Sequence, residues 1–383
     1  MFSPATMRLV GLGRRIPGRA KFAGAVLALA ALIAVVAPWV ARSGSVRRRV
    51  RALERRADGR HARFADSIFA DHFQRGNVHT HSLLSDGSSS MEAVAAWYRN
   101  LGYQFLAMTE HNLQLEASDV ARFSTPGFVV IPGEEVTNHW GPHGGHPLHV
   151  NSLCAPHETP GGFDFAQPDE GLVATLEDVR LAGGIPLVNH PNFGWTLTAD
   201  DVARGASGRY LFEIWSGHPN VNPDGDALRP SAESIWDDLL ARGADAIPVA
   251  VDDAHNLPGD SSHGGNALPG RAWVETFGDE TSVDAICTAL ARGDLYASNG
   301  PVIARIRVKD DVFAVATTDP GATVEFLGER GEVLSVQRAG DVPPREYLFE
   351  VAYRLSGGET LVRARMDDAV GRHAWTVAYR VTD

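Results

Sequence analysis

From residue 77 the sequence predicts an α/β fold on a parallel sheet of barrel type, followed by a small antiparallel β-domain and preceded by one hydrophobic helix. Three observations predict it. Short apolar strands alternate with amphipathic helices up to residue 292. After "SNGP" (298–301) the texture changes to alternating apolar and polar runs divided by Gly, Pro and Asp turns. The stretch "FAGAVLALAALIAVVAPWVA" (22–41) carries no charge.

Residues 1–21 read as a basic tail. As a helix, residues 22–41 would cover roughly 30 Å, one hydrocarbon core. Arg14, Arg15, Arg19 and Lys21 precede the stretch, and Arg42, Arg47, Arg48, Arg49 and Arg51 follow it. The expectation is a single membrane anchor with the catalytic part exported to the periplasmic side. A secretory signal cut after Ala41-Arg42-Ser43, giving a secreted protein, is the alternative. Residues 42–75 read as an Arg-rich linker, helical or flexible, either solvated or lying against anionic headgroups.

The strands are expected at 77–81, 104–109, 128–132, 148–153, 185–189, 210–215 and 246–251. The helices are expected at 90–101, 115–123, 169–183, 230–242 and 281–292, with Gly243 and Gly293 as caps just past two of them. Residues 76–300 thus form the α/β unit. Residues 301–383, with "VIARIRV", "TVEFLG", "EYLFEVAYRL", "TLVRARM" and "AWTVAYRV", form a sandwich of about six strands.

The 383 residues are 44% hydrophobic and 21% charged, enough for a sizeable core. Cys154 and Cys287 are the only cysteines, so neither a disulfide framework nor a Cys-based zinc site is expected. Charge is divided unevenly. Residues 1–60 carry 13 Lys and Arg against 2 Asp and Glu, which leaves 22 against 45 in the remainder. So acidic a body disfavours long nucleic acid as a partner and leaves a small molecule.

The chemistry-bearing residues gather at strand ends. His79 and His81 alternate by two and so share one side of a strand; Asp86 follows in a Gly/Ser loop. The next strands end with Glu110 and His111, Glu134 and Glu135, His149, His190, and Asp252, Asp253 and His255. That is the end of a parallel barrel where sites assemble. Imidazole with carboxylate suits Zn, Mn or Fe, and the set exceeds the needs of one ion. Two or three divalent ions could share a carboxylate and a hydroxide that attacks a phosphoryl or carbonyl centre. Within the adjacent pairs, Glu110 beside His111, Glu134 beside Glu135 and Asp252 beside Asp253, spacing alone leaves the choice open. His146 competes with His149.

The stretches "HTHSLLSDG", "TEHN", "PGEEVT", "HVNSL", "NHP" and "DDAH" resemble, in order, the PHP (polymerase and histidinol phosphatase) family of metal-dependent hydrolases. The resemblance covers roughly residues 76–256. It implies a distorted (βα)7 barrel and, position by position, His79, His81, Asp86, His111, Glu135, His149, His190, Asp253 and His255 as metal ligands. His79, His81, Glu135 and Asp253 are the residues expected to carry catalysis. "ALARGDLYASNGP" (289–301) before a β-domain resembles the carbaryl-hydrolase-like branch. The Gly/His-rich insertion "NHWGPHGGHPLH" departs from it; His139, His143 and His146 are expected in a solvated loop or at the entrance.

On the substrate side, Asn192, Asn256, Arg271 and Asn299 could orient oxygens or bind an anion, and Trp195 and Trp215 could form an apolar wall. The expected activity is a metal-dependent phosphoesterase acting on a phosphate ester or small nucleotide. A carboxyl-ester, amide or carbamate hydrolase with the same centre is the alternative, and a non-catalytic membrane-tethered binding module the third reading.

Overall fold

A computed structural model of the protein describes residues 44–59, 61–260 and 266–383. The expected tail 1–21 and hydrophobic segment 22–41 lie outside them. Among the described residues no helix is long and apolar enough to cross a membrane.

The chain begins with α1 (Gly44–Ala57), β1 (Arg63–Phe64), β2 (Ile68–Ala70) and β3 (Phe73–Asn77). It continues through α2 (Met91–Asn100), β4 (Phe105–Ala107), α3 (Ala117–Ala121), β5 (Val129–Ile131), β6 (Gly133–Trp140), β7 (His146–Leu153) and β8 (Asp164–Phe165). Next come α4 (Pro168–Leu181), β9 (Ile185–Val188), α5 (Ala199–Gly205), β10 (Arg209–Ser216), α6 (Ala232–Ala241) and β11 (Asp245–Val251). The unit ends with β12 (Trp273–Phe277), α7 (Val283–Arg292) and β13 (Leu295–Ser298). The final strands are β14 (Arg305–Lys309), β15 (Val312–Thr317), β16 (Thr323–Leu327), β17 (Val333–Arg338), β18 (Phe349–Arg354), β19 (Leu361–Asp367), β20 (His373–Thr376) and β21 (Tyr379–Thr382).

The fold is mixed α/β, and the expected strand–helix alternation is present. The expected all-parallel order is not. β3, β4 and β5 run parallel in one sheet, and β9, β10 and β11 run parallel in another. Between them β6 and β7 form an antiparallel hairpin, and β7 is antiparallel to β9. The hairpin's outer part is the Gly/His-rich stretch 138–149 expected to be a loop, while 148–153 is strand as expected. Trp140 and His146 face each other across its end with rings 4.5 Å apart, and β6 and β7 stay in register for eight pairs. The two sheets meet through isolated parallel bridges, Thr80 with Ala254 and His111 with Glu135, and not through continuous ladders.

The stretch 42–75, expected as a linker, is helix and paired strand over much of its described part. β1 pairs with β21, β2 with β14 and β3 with β12. The Arg side chains on one face of α1 explain its docking. Arg51 donates to Gly358 O, Arg55 to Gly357 O and Glu359 O, and Arg48 pairs with Glu332 at 3.5 Å.

The C-terminal strands make two antiparallel layers, as a sandwich requires, but one layer is continuous with the sheet holding β3–β5. Phe313 of β15 meets Phe326 of β16 and Tyr379 of β21 edge-on at 5.4 and 5.0 Å. One buried cluster runs from Val78, Phe105 and Leu211 through Tyr296 and Ile306 to Phe326 and Ala364. No break in packing falls at residue 300.

Two further departures matter. Helix α5 was missed, although Thr198 and Asp201 form a capping box that the sequence carries openly. Cys154, after β7, and Cys287, in α7, are joined by a disulfide across 133 positions, contrary to the expectation of none. Their spacing could not reveal a pairing made only by the fold.

Candidate metal centre

The strand ends aim their last side chains inward. β3 stops at Asn77, so His79 and His81 are not strand residues as expected. They extend past it, held by His81 N–H to Ala254 O (2.9 Å) and Asp253 N–H to His79 O (3.1 Å). Asp86 returns to them because the loop folds tightly on itself. A Cβ on Gly87 would lie 2.7 Å from the His81 carbonyl carbon, so only Gly fits. Glu110 fastens this loop, accepting from Ser82 Oγ and Ser85 Oγ, both at 2.5 Å. Its role is to position the loop, beside a cluster it does not enter.

Neighbouring residues diverge by strand geometry. On β6, Glu134 and Glu135 point to opposite sides. Glu134 accepts from Thr159 N–H on the outer side, and burial raises its pKa to about 7. Asp252 likewise turns away, accepting from Gly270, Arg271 and Ala272 N–H groups and from Tyr98 Oη; burial raises it to about 6. Asp253 turns inward with φ of 49°, a left-handed conformation costly for a residue with a Cβ.

Glu135 is the hub. Its Oε2 lies 3.2 Å from His79 Nε2, 3.1 Å from His81 Nε2 and 3.3 Å from His111 Nδ1. Its Oε1 lies 2.9 Å from His149 Nδ1 and 3.4 Å from His190 Nε2. Asp253 Oδ1 is 3.4 Å from both His79 Nε2 and His81 Nε2. Asp86 stands 3.5 Å from His81, 3.5 Å from His111 and 3.3 Å from His255. All nine residues expected as ligands therefore share one site. Three overlapping groups could each hold an ion: His81, Asp86, His111 and His255; His79, Glu135 and His190; and His79, His81 and Asp253.

The donor set fits divalent cations. His79 Nε2, His81 Nε2 and His149 Nδ1 are buried without a hydrogen-bond partner, although carboxylate oxygens stand close by. Buried imidazole nitrogens normally find partners. Metal–ligand bonds of roughly 2.0–2.2 Å put ligand atoms of one ion roughly 3.0–3.6 Å apart, the spacing seen around Glu135.

Outer partners fix which nitrogen faces inward. His79 Nδ1 bonds Glu213 Oε1 at 2.6 Å, His111 Nδ1 bonds Thr137 Oγ1 at 2.6 Å, and His255 Nδ1 bonds Asp253 O at 3.1 Å. His79 and His255 thereby leave Nε2 for the cluster, the usual arrangement of ligating histidines, and His111 leaves Nε2 to Asp86 at 3.5 Å while its Nδ1 sits between Thr137 and Glu135. Electrostatics agree. Burial alone would keep His81 neutral, yet the carboxylates of Asp253 and Glu135 beside it raise it to about 10. Burial opposes charge on Glu135 and Asp253 as well, but the surrounding imidazoles hold both well below the carboxylate range. So dense a set of anionic oxygens draws positive charge, whether protons or cations.

A cavity of about 430 Å³ opens over the cluster, walled by Phe193, His218, Pro219, Asn220, Asn266 and Ala267. None of the four residues expected to meet substrate is among its described lining residues. Asn192 instead pins a loop, donating to Asn222 O and Pro230 O. Asn256 is buried behind the cluster with its N–H on Ala267 O. Arg271 donates to Gly217 O. Asn299 accepts from His373 N–H. The side chains of Asn192 and Arg271 donate to backbone carbonyls and that of Asn299 accepts from a backbone N–H, which makes these three braces. Trp195 lies under Arg229, whose guanidinium is 4.4 Å from the ring centroid, and Trp215 packs on the core. His139, His143 and His146 stay out of the cavity lining.

Sequence reasoning missed Glu213, His218 and Phe193. Glu213 had a signal: one acid inside the otherwise apolar buried strand "YLFEIW". His218 and Phe193 follow strand ends in loops and carried none beyond position.

No family model matches the chain, and no curated protein matches it in sequence. Several solved structures resemble it in fold. A two-domain protein from Bacteroides vulgatus, containing a predicted PHP-like metal-dependent phosphoesterase, superposes at a TM-score of 0.41 with 11% identity, covering 83% of this chain and 88% of that one. A protein from Bifidobacterium adolescentis assigned as a metal-dependent phosphoesterase gives 0.36 and 15%, over 57% and 96%. An amidohydrolase from Chromobacterium violaceum, with bound sulfate and no metal, gives 0.34 and 17%, over 48% and 88%. At TM-scores this low the likenesses leave the chemistry of the site to its own geometry.

Proposed function

We propose that the chain is a metal-dependent hydrolase of small phosphate esters, built on a distorted (βα)7 barrel of PHP type and using two or three divalent ions, Zn, Mn or Fe. One observation carries this reading: five imidazoles from four segments surround the single carboxylate of Glu135 within 3.4 Å, with buried ring nitrogens left unpaired. Ions held there would supply Lewis-acid charge for a developing oxyanion and acidify water. The protein's own groups prepare the site. His79, His81, Glu135 and Asp253 form its floor, and Glu213 and Thr137 hold two of the rings in the tautomer that presents Nε2. His218 accepts from Asn220 N–H at Nδ1, which leaves Nε2–H to donate to a substrate oxygen in the cavity. Phe193 and Pro219 shed water from one wall.

The partner is a small molecule and not long nucleic acid, in keeping with the acidic body. Anchoring by residues 22–41 with the hydrolase exported is the matching location. The Cys154–Cys287 disulfide supports it, because such bonds persist in oxidising compartments. The closing segment 289–301 keeps the carbaryl-hydrolase-like branch relevant, so carbamates and aryl esters belong beside phosphates in the test.

Purified full-length protein, loaded in turn with Zn, Mn and Fe, is assayed on phosphomonoesters, nucleotides, aryl esters and carbamates. The reading predicts phosphate-ester turnover that His79→Ala with His81→Ala abolishes. Faster turnover of carboxyl esters or carbamates by orders of magnitude would transfer the site to that chemistry. Metal-loaded, folded protein inert to every class would leave a binding module.

A further inference from the structure

Helix α1 divides its charges between two faces. Arg48, Arg51 and Arg55 lie on the side turned to the C-terminal strands, where Glu332, Glu329, Asp383 and backbone carbonyls take them. The opposite side carries Val46, Arg49, Val50, Leu53, Arg56 and Ala57, a stripe at helical spacing. Leu53 is 64% exposed and Val50 47%, large apolar side chains left open by the described residues. Arg49 and Arg56, two turns apart, flank Leu53 on the same edge and are exposed. An apolar stripe with arginines along one edge, and the single acid Glu54 on the other, is the surface of a helix that lies in a headgroup layer. The chain immediately upstream is the uncharged 22–41, so any bilayer it enters is adjacent to α1.

We propose that the outward face of α1 seats on an anionic bilayer, Leu53 and Val50 entering the headgroup boundary while Arg49 and Arg56 contact lipid phosphates. The inward arginines tie α1 to the C-terminal strands, so this seat sets the orientation of the whole protein at the membrane. The membrane then does more than tether: it becomes a second, rigid point of attachment. A soluble acidic partner could bind two arginines but gives no reason for Leu53 and Val50 to stand exposed between them.

The test uses the full chain in lipid nanodiscs, one set zwitterionic and one containing phosphatidylglycerol. A nitroxide is placed at Leu53→Cys, the native cysteines being paired with each other. A second label at Val370→Cys, 75% exposed in a distant turn, serves as reference. The expected result is that the Leu53 label becomes accessible to oxygen and shielded from a water-soluble nickel chelate in the anionic discs, while the Val370 label stays aqueous. Arg49→Glu with Arg56→Glu should lower the seated fraction on the order of tenfold or more, with the circular dichroism unchanged. A Leu53 label equally open to nickel in both lipids would overturn the proposal, as would seating that survives the double charge reversal. If the chain stays outside the discs, flotation with vesicles of the same two compositions decides: binding that requires phosphatidylglycerol, Arg49 and Arg56 supports it, and none rejects it. The hydrolase assay is a separate readout, so failure here leaves the catalytic reading standing.

Discussion

Glu213 is a carboxylate sunk in an apolar strand, where it accepts from two donors, His79 at Nδ1 and the His190 N–H at 2.8 Å. Glu213→Gln should loosen the tautomer of His79 and reduce metal affinity roughly tenfold to a hundredfold, measured by competition with a chromogenic chelator, while the fold persists by circular dichroism. The two adjacent aspartates give a paired contrast. Asp253→Asn should remove metal from a folded protein. Asp252→Asn should keep the metal but lower the melting temperature, because its oxygens accept from three N–H groups and Tyr98. Equal metal loss in both variants would contradict the placement. At this scale much of the site was legible, since acids and imidazoles at strand ends have few structural uses. The substrate residues were not. Asn192, Asn256, Arg271 and Asn299 were chosen by proximity in sequence, whereas the side chains of Asn192, Arg271 and Asn299 are consumed where the loop beside each needs bracing.

Local elements obey the caps and periodicities written in the chain. Ser90, Ser231 and Ser282 each accept from the third residue of the following helix. What escaped was decided by partners far away. Residues 63–75 fall in short runs inside the stretch read as a linker, but three strands outside the stretch recruit them. The hairpin of β6 and β7 hides behind Gly and His because its pairing, not its composition, makes it a ladder. The turn that receives α1 carries its own prediction. Buried Glu359 accepts from Tyr353 Oη and Ser356 Oγ at 2.5 Å and from the N–H groups of Ser356, Gly357 and Gly358. Burial opposes its charge, but these donors lower its pKa below the ordinary 4.5. A depressed carboxylate stabilises the fold fully above its unfolded pKa and loses that contribution as pH falls through the lower folded value. Glu359→Gln should therefore cost about 2 kcal/mol at neutral pH. In urea titrations its deficit should shrink below pH 4.5.

The whole molecule is one packed body in which a sheet passes from the metal-bearing strands into the C-terminal layers. The disulfide ties the end of β7 to α7, closing a long loop of chain. Cys154→Ser with Cys287→Ser should lower unfolding stability by about 2–4 kcal/mol, read from guanidinium denaturation, with metal content retained because neither cysteine belongs to the metal-capable groups. A change in texture after residue 300 was legible; continuity across it was not, because sheet neighbours are chosen by register in three dimensions. The most direct measurement is elemental analysis of purified full-length protein beside its Glu135→Gln variant, both folded and dialysed against Zn and Mn. The account predicts about two or three ions per wild-type chain and a clear loss in the variant. Wild-type protein that holds no metal, or a variant that holds as much, would contradict it.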